Sequence, residues 1–275
     1  MSAPTSVGAY RSVVDLVAAA LAGRLGPDPT RSRVSVGFVT RQGARHAGRG
    51  RAYRNHVLSL RVGAAVGCCA VEPGELPDEV AYDCVGMTVA ELLAHPLAPV
   101  RVAALDAYLM AVRPHADACP DPVLVPGGSS LAKSTARAAA VLELLPVDPG
   151  ATVLVVGVVN SLLAGLRERG LRYLPCDRAG GSTEWGEPCR PDPAPLLAGC
   201  DALLVSGMTL GNGTFEPLLA HARDTGKPLV AFAQTGSAVL PRFLGAGLTA
   251  VSAEPYPFFW LDGGPSTVYR YRAAA

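Results

Sequence analysis

The residues with the most chemical potential sit in a few short, turn-rich segments. Residues 207–214 read Gly-Met-Thr-Leu-Gly-Asn-Gly-Thr and follow the apolar run ALLVS. Glycines permit tight turns and close backbone approach, and a threonine ahead of a helix can cap amides that attract an anion. Thr209, Asn212, Gly213 and Thr214 are therefore expected to hold a carboxylate or phosphate. The segment Gln234-Thr235-Gly236-Ser237 has the same polar-cap character after PLVAFA and adds Thr235 and Ser237. Asn160, opening the helix after ATVLVVG, completes this ligand-binding set.

The loop CDRAGGSTEWGEPC gathers carboxylates and thiols. Cys176, Glu187 and Cys189 could converge on a divalent metal, and Glu184 could do general acid–base work. The two thiols are too far apart in sequence for a chelating knuckle, and a structured surface loop is the competing reading. The seven cysteines are odd in number, irregularly spaced and without a CxxC, which suits reduced thiols in a cytosolic protein.

Three further features carry charge. PGGSSLAKSTARAA misses the phosphate-binding GxxxxGK[ST] pattern by one residue, with Ala132 at the sixth position ahead of Lys133 and Ser134. Lys133 could still be a charge partner in a looser anion site, or a solvent lysine at a plain helix start. Asp106 is embedded in VRVAALDAYLMAV and either lies on an exposed stripe or faces a cleft between domains as an acid–base group. The segment RQGARHAGRGRAYR carries Arg41, Arg45, His46, Arg49, Arg51 and Arg54 and no acid. It reads as a solvated hairpin tip or as a mobile arm whose guanidinium groups reach an anionic ligand.

The elements that position these residues fall into two halves. Residues 1–120 hold an amphipathic helix over Tyr10–Leu25, strands over Arg33–Thr40, His56–Val62 and Ala64–Val71, and two helices between Met87 and Pro114, which together predict a small α+β cap. After the break at residues 117–122, strands and helices alternate through residues 121–275. That spacing predicts βαβ units and a Rossmann-like parallel sheet, whose ligands sit beyond the carboxyl ends of its strands. The dinucleotide fingerprint G-x-G-x-x-G is absent after VLVVG, which argues against ordinary NAD, nucleotide or S-adenosylmethionine binding.

Bulk properties narrow the partners. The formal net charge is +1, which argues against a nucleic-acid or anionic-membrane partner. No apolar run reaches the roughly 18 residues of a membrane span, and the start lacks a basic stretch followed by an apolar one, so a cytoplasmic protein is expected. Aromatic residues are scarce, so the cluster Tyr256, Phe258, Phe259 and Trp260 is expected to form a lid, core contact or subunit interface, consistent with a homodimer.

SGMTLGNGTFEPLL resembles the threonine-leucine–asparagine-glycine-threonine signature of a bacterial and archaeal family labelled a "putative heavy-metal chelation" domain. AQTGSAVLPRFLGAG is similar to that family's later glycine-serine-proline loop, and VRVAALDAYL to the alanine-asparagine helix of the domain fused to it. The resemblance spans roughly Leu97 to Ala253. It implies a Rossmann-like C-terminal domain joined to an enolase-N-terminal-like cap, with a site between them. Asp106 stands where the family tends to have asparagine, the later loop lacks its proline, and EWGEPC lies outside the signature.

These readings converge on a small-molecule enzyme acting on a polar, anionic metabolite, amino-acid-like or a chelator, in the cleft between cap and sheet, within a biosynthetic setting. Asp106 or Glu184 is then the acid–base group and Lys133 the charge partner. The alternatives are non-catalytic sequestration of a metal ion or metal complex through Cys176, Glu187 and Cys189, and nucleotide or S-adenosylmethionine binding. No cofactor is specified beyond a possible divalent metal.

Overall fold

Apolar periodicity resolves into two sheets with one long helix between them. The computed structural model describes residues 10–49, 52–119 and 121–274. Arg51 of the basic segment and Pro120 of the interdomain break lie outside them. Helix α1 (Val13–Leu21) begins where the Ser12 hydroxyl accepts from the Asp15 amide, and it buries Leu16, Ala19 and Ala20. Strands β1 (Val34–Arg45), β2 (Ala52–Val62) and β3 (Ala65–Val71) form an antiparallel meander. Helices α2 (Val80–Asp83), α3 (Val89–Leu93), α4 (Ala98–Val112) and α5 (His115–Ala118) follow.

The basic segment is not a loop over most of its length. The β1–β2 ladder continues out to the pair Arg45–Ala52, so Arg41, Arg45 and Arg54 ride on a projecting two-stranded arm. Their guanidinium groups stay solvated while the backbone satisfies itself across the ladder, so the charge run does not oppose strand formation.

Helix α4 is apolar on all sides because it is packed on all sides. The meander presses onto it so closely that a Cβ on Gly67 would lie 1.9 Å from the Ala107 amide nitrogen. The opposite side of α4 shares one core with the large sheet, through Leu105, Leu109, Val205, Ala231 and Val251.

The large sheet contains β4 (Asp121–Val125), β5 (Thr152–Val156), β6 (Arg172–Cys176), β7 (Ala202–Ser206), β8 (Leu229–Ala233), β9 (Ala250–Ala253) and β10 (Ser266–Arg272), in the order β4-β10-β9-β8-β7-β5-β6. Strands β5 to β9 are mutually parallel. Strand β10 runs antiparallel between β9 and β4. Its polar and aromatic sequence, STVYRYR, gives little of the apolar signal that marks the central strands.

Helices α6 (Ser130–Leu142) and α7 (Asn160–Glu168) cover one face, over Val153, Val155, Leu204, Val230 and Phe232. The other face meets α4 and α9 (Phe215–Thr225), with the short α8 (Met208–Gly211) near the strand ends. Two of the connecting segments, Leu240–Phe243 and Ala194–Gly199, are 3₁₀ turns rather than α-helices. Of the aromatic cluster, Phe258 and Phe259 are buried within the chain, and Phe258 packs on Val57 and Cys68 of the meander. The cluster is thus core between the two halves.

Candidate functional site

The order in which strands are added reverses at β5, which has β6 on one side and β7 on the other. A crevice opens where such strands diverge at their carboxyl ends. In this chain the residues at that edge are Gly157, Ser206, Met208 and Gln234, all half-buried. Gly157 has φ +90°, and a Cβ there would lie 2.6 Å from the Ser206 Cβ, so only glycine fits. Register places Ser206 beside Phe232 and Phe232 beside Ser252, a row on the face covered by α6 and α7.

Three buried polar atoms at these strand ends have no partner: Asn160 Oδ1, Gln234 Nε2 and Ser252 Oγ. Asn160 opens α7 after β5, Gln234 follows β8, and Ser252 lies in β9 beside Phe232. Buried polar groups are normally satisfied, because an unmade hydrogen bond costs about 1–3 kcal/mol. Three such atoms, from β9 and from just beyond β5 and β8, are the feature expected where a ligand or water supplies the missing partners.

The same region holds a buried ion pair. Arg137 of α6 donates from Nε to Glu254 Oε2 at 2.6 Å, and Glu254 Oε1 accepts from the Phe259 amide at 2.9 Å. The guanidinium lies over the rings of Phe232 and Phe259, at 5.7 and 5.5 Å from their centroids. The Phe232 ring ties this pair to the crevice, since its Cζ would lie 3.9 Å from a Cβ on Gly157.

The arm forms the roof. The Asn160 amide donates to the Tyr53 hydroxyl at 2.8 Å, Trp260 Nε1 donates to Gln42 Oε1 at 2.7 Å, and His46 Nδ1 lies 3.0 Å from Ser130 Oγ. Arg49, near the tip, forms an ion pair with Glu184. Burial, and then the charge of Arg49, hold the His46 imidazole below its usual pKa.

The three residues read as acid–base and charge groups hold the architecture together instead. Asp106 is 1% exposed and faces the junction of the two halves. Its carboxylate accepts from the Cys68 amide at 2.9 Å and the Ala238 amide at 2.7 Å. Burial raises its pKa to about 7 against the lowering effect of those amides. Lys133 is also 1% exposed, and its ammonium donates to the carbonyls of Asp262 and Gly264, with the Asp262 carboxylate 3.6 Å away. It therefore straps the 262–264 loop onto α6 and is turned away from solvent. Glu184 anchors the arm through Arg49.

The segment 207–214 is likewise a structural wedge. A Cβ on Gly211 would lie 2.7 Å from both the Ala70 carbonyl oxygen and Cys69 Sγ, and one on Gly207 would lie 2.2 Å from the Thr235 carbonyl oxygen. What approaches these glycines is the protein itself, backbone carbonyls and the Cys69 sulfur. Thr209 donates to the Ser206 carbonyl at 2.7 Å. Thr214 makes no side-chain cap; its hydroxyl and amide both donate to Asn212 Oδ1, at 2.7 and 3.2 Å, across the exposed Gly213. Thr235 is buried, and the Ser237 hydroxyl lies 3.2 Å from His115 Nε2. Of the ligand-binding set, Asn160 alone presents an unpartnered atom at the crevice.

Cys176, Glu187 and Cys189 form no three-ligand cluster. Cys176 packs into the core shared with α4, whereas Cys189 packs into the core under α6 and α7. Burial pushes the Cys176 thiol up to about 12. Glu187 is engaged by the Tyr173 hydroxyl, the Thr183 hydroxyl and Arg167. Among the described residues no group of three or more His, Cys, Asp or Glu side chains could hold a metal ion.

Arg137, Glu254 and Ser252 were not singled out by sequence. Glu254 had a usable signal, since a charged residue directly after an apolar strand stands at the carboxyl edge. Arg137 had a weaker one, as a cation inside an alanine-rich stretch. A separate cavity of about 550 Å³ is lined wholly by residues 37–82, including Arg41, His56, Glu72 and Asp78. None of the unpartnered buried atoms lies in it, so the crevice is the better candidate.

Residues 140–251 match the model of the DUF364 family, described as "Putative heavy-metal chelation". A DUF364 protein of unknown function from Desulfitobacterium hafniense has a similar solved structure, with TM-score 0.58, 16% identity, and coverage of 93% of this chain and 97% of that one. A DUF364 protein of unknown function from Pyrococcus horikoshii has TM-score 0.51, 13% identity, and coverage of 87% and 94% respectively. At these identities the likeness concerns the fold. No curated protein matches the chain. No helix among the described residues is long and apolar enough to cross a membrane.

Proposed function

From the premise that residues 140–251 carry the DUF364 pattern, we propose that this protein captures a small, polar, anionic metabolite, amino-acid-like or a chelator, in the crevice beneath the arm. One observation carries the reading: buried polar atoms of Asn160, Gln234 and Ser252 lack partners at the edge of the sheet where the Arg137 guanidinium lies over the Phe232 ring. A guanidinium is a planar fork suited to a carboxylate, and low local polarity strengthens that contact. The expectation of acid–base catalysis relied on Asp106, Glu184 and Lys133. Their engagement in holding the fold together favours capture over turnover.

The family's description favours a second reading, in which the captured molecule is a metal complex. With no three-ligand protein cluster among the described residues, the metal would arrive inside its chelator, and Arg137 would grip a free carboxylate of that chelator.

Native mass spectrometry with elemental analysis, on protein purified without a metal-affinity tag, tests both. A retained organic ligand that is lost in Arg137→Lys supports the crevice, because lysine keeps the charge and loses the fork. Retention undiminished in Arg137→Lys sinks it. Metal that leaves together with the organic ligand supports the complex.

A further inference from the structure

We infer that the ligand of this crevice is a zwitterion, an α-amino carboxylate or a molecule ending in one, recognised at both poles by Arg137 and Asn160. The inference rests on the proposed crevice and names the class of molecule it takes.

The argument begins with charge. Arg137 and Glu254 form a pair whose side chains are 5% and 2% exposed, so the charged wall of the crevice is neutral as a whole. The other ionisable groups nearby are committed elsewhere. Lys133 is held by the 262–264 loop, Glu184 by Arg49, and Asp177 by the amides of Val158 and Ala179. Burial and Arg49 favour a neutral His46. A phosphate dianion entering such a wall would be left with uncompensated charge, which is costly away from water. A molecule that is itself neutral overall but strongly dipolar meets no such penalty.

Donor and acceptor types complete the match. Gln234 Nε2 is a donor without an acceptor, and it follows Phe232, over whose ring the Arg137 guanidinium lies. Both groups suit a carboxylate, which only accepts. Asn160 Oδ1 is an acceptor without a donor, buried at 3% exposure at the start of α7. It suits an ammonium, which only donates. Ser252 Oγ can serve either pole. Two orphan types of opposite sense, beside one internally neutralised ion pair, fit a ligand with separate positive and negative ends.

The test is thermal shift followed by calorimetry on the full chain. The probes are the protein L-amino acids, their des-amino carboxylates, their decarboxylated amines, and inorganic phosphate. The expected result is stabilisation by at least one amino acid and none by its des-amino or decarboxylated counterpart. Asn160→Ala should weaken that binding by about tenfold or more, the usual loss of one buried partner to a charged group. Glu254→Gln leaves Arg137 uncompensated and should turn preference toward the des-amino carboxylate. If Glu254→Gln fails to fold, Asn160→Ala and the ligand series decide alone. Equal binding of a des-amino carboxylate, binding of phosphate or amine alone, or binding of no amino acid overturns the zwitterion. A non-zwitterionic ligand that Arg137→Lys loses leaves the crevice standing and removes only this inference. A ligand indifferent to Arg137→Lys removes both.

Discussion

Asp106 and Ala238 stand 132 residues apart and are joined by a 2.7 Å hydrogen bond from the Ala238 amide to the Asp106 carboxylate. The same carboxylate reaches the Cys68 amide in β3. One side chain on α4 thus ties the meander to the loop after β8. The clamp is costly to break from either side, since its loss leaves buried amides without an acceptor.

Asp106→Ala should lower unfolding stability by about 3 kcal/mol, the scale for stranding buried amide donors, measured by urea denaturation. Ligand affinity at the crevice should change far less than stability does. A variant of unchanged stability with abolished ligand binding would return Asp106 to the site.

Asp106 also imposes a pH dependence. Burial lifts its pKa from 3.8 to about 7 in the folded chain. The fold therefore prefers the protonated acid, and this contribution is full below pH 3.8 and is lost as pH rises through about 7. Stability of the natural chain should decline over that window relative to Asp106→Asn. Parallel pH profiles for the two proteins would contradict the assignment.

His115 acts in the opposite sense. Burial, and then Arg242, lower its pKa from 6.5 to about 4, and its two nitrogens lie 2.7 Å from the Tyr271 hydroxyl and 3.2 Å from Ser237 Oγ. The fold prefers neutral imidazole, so this contribution is full above pH 6.5 and is lost as pH falls through about 4. His115→Gln should flatten that acid limb in pH-dependent denaturation while leaving the Asp106 limb in place.

The arm meets the roof of the crevice through side-chain tips. Glu184→Gln should remove the ion pair with Arg49. The expected stability cost is small, about 1 kcal/mol, because Arg49 retains partial solvent access. Hydrogen exchange should nevertheless accelerate at amides of residues 41–49 and 52–54. Unchanged exchange there would show that Gln42, His46 and Tyr53 suffice to hold the arm.

Cys176 and Cys189 provide a test of the metal reading. Replacing both by serine places hydroxyls in two separate apolar cores. The expected outcome is lower stability, by about 1–3 kcal/mol per buried hydroxyl without a partner, with metal content per folded chain unchanged. Stoichiometric metal lost with the two thiols would restore their convergence.

Local pattern was enough for the frame. Alternating apolar runs and helix-length segments marked the central parallel strands, and the rule that ligands gather at strand carboxyl ends pointed to the edge where Asn160, Ser206 and Gln234 lie. The sequence could also show that Asp106 is anomalous, because a carboxylate inside an apolar helix needs partners. Which partners it has was a tertiary matter. The glycines of 207–214 look alike whether they face a ligand or a strand, and only packing against Ala70 and Cys69 assigned Gly211 to the strand. Lys133 and Glu184 carry charge in either role, and the loop at 262–264 and the arm decided their use. Arg137 and Glu254 are 117 residues apart, too far for spacing to pair them. Residue type and period are local properties, whereas satisfaction of a buried charge depends on whatever the fold brings beside it.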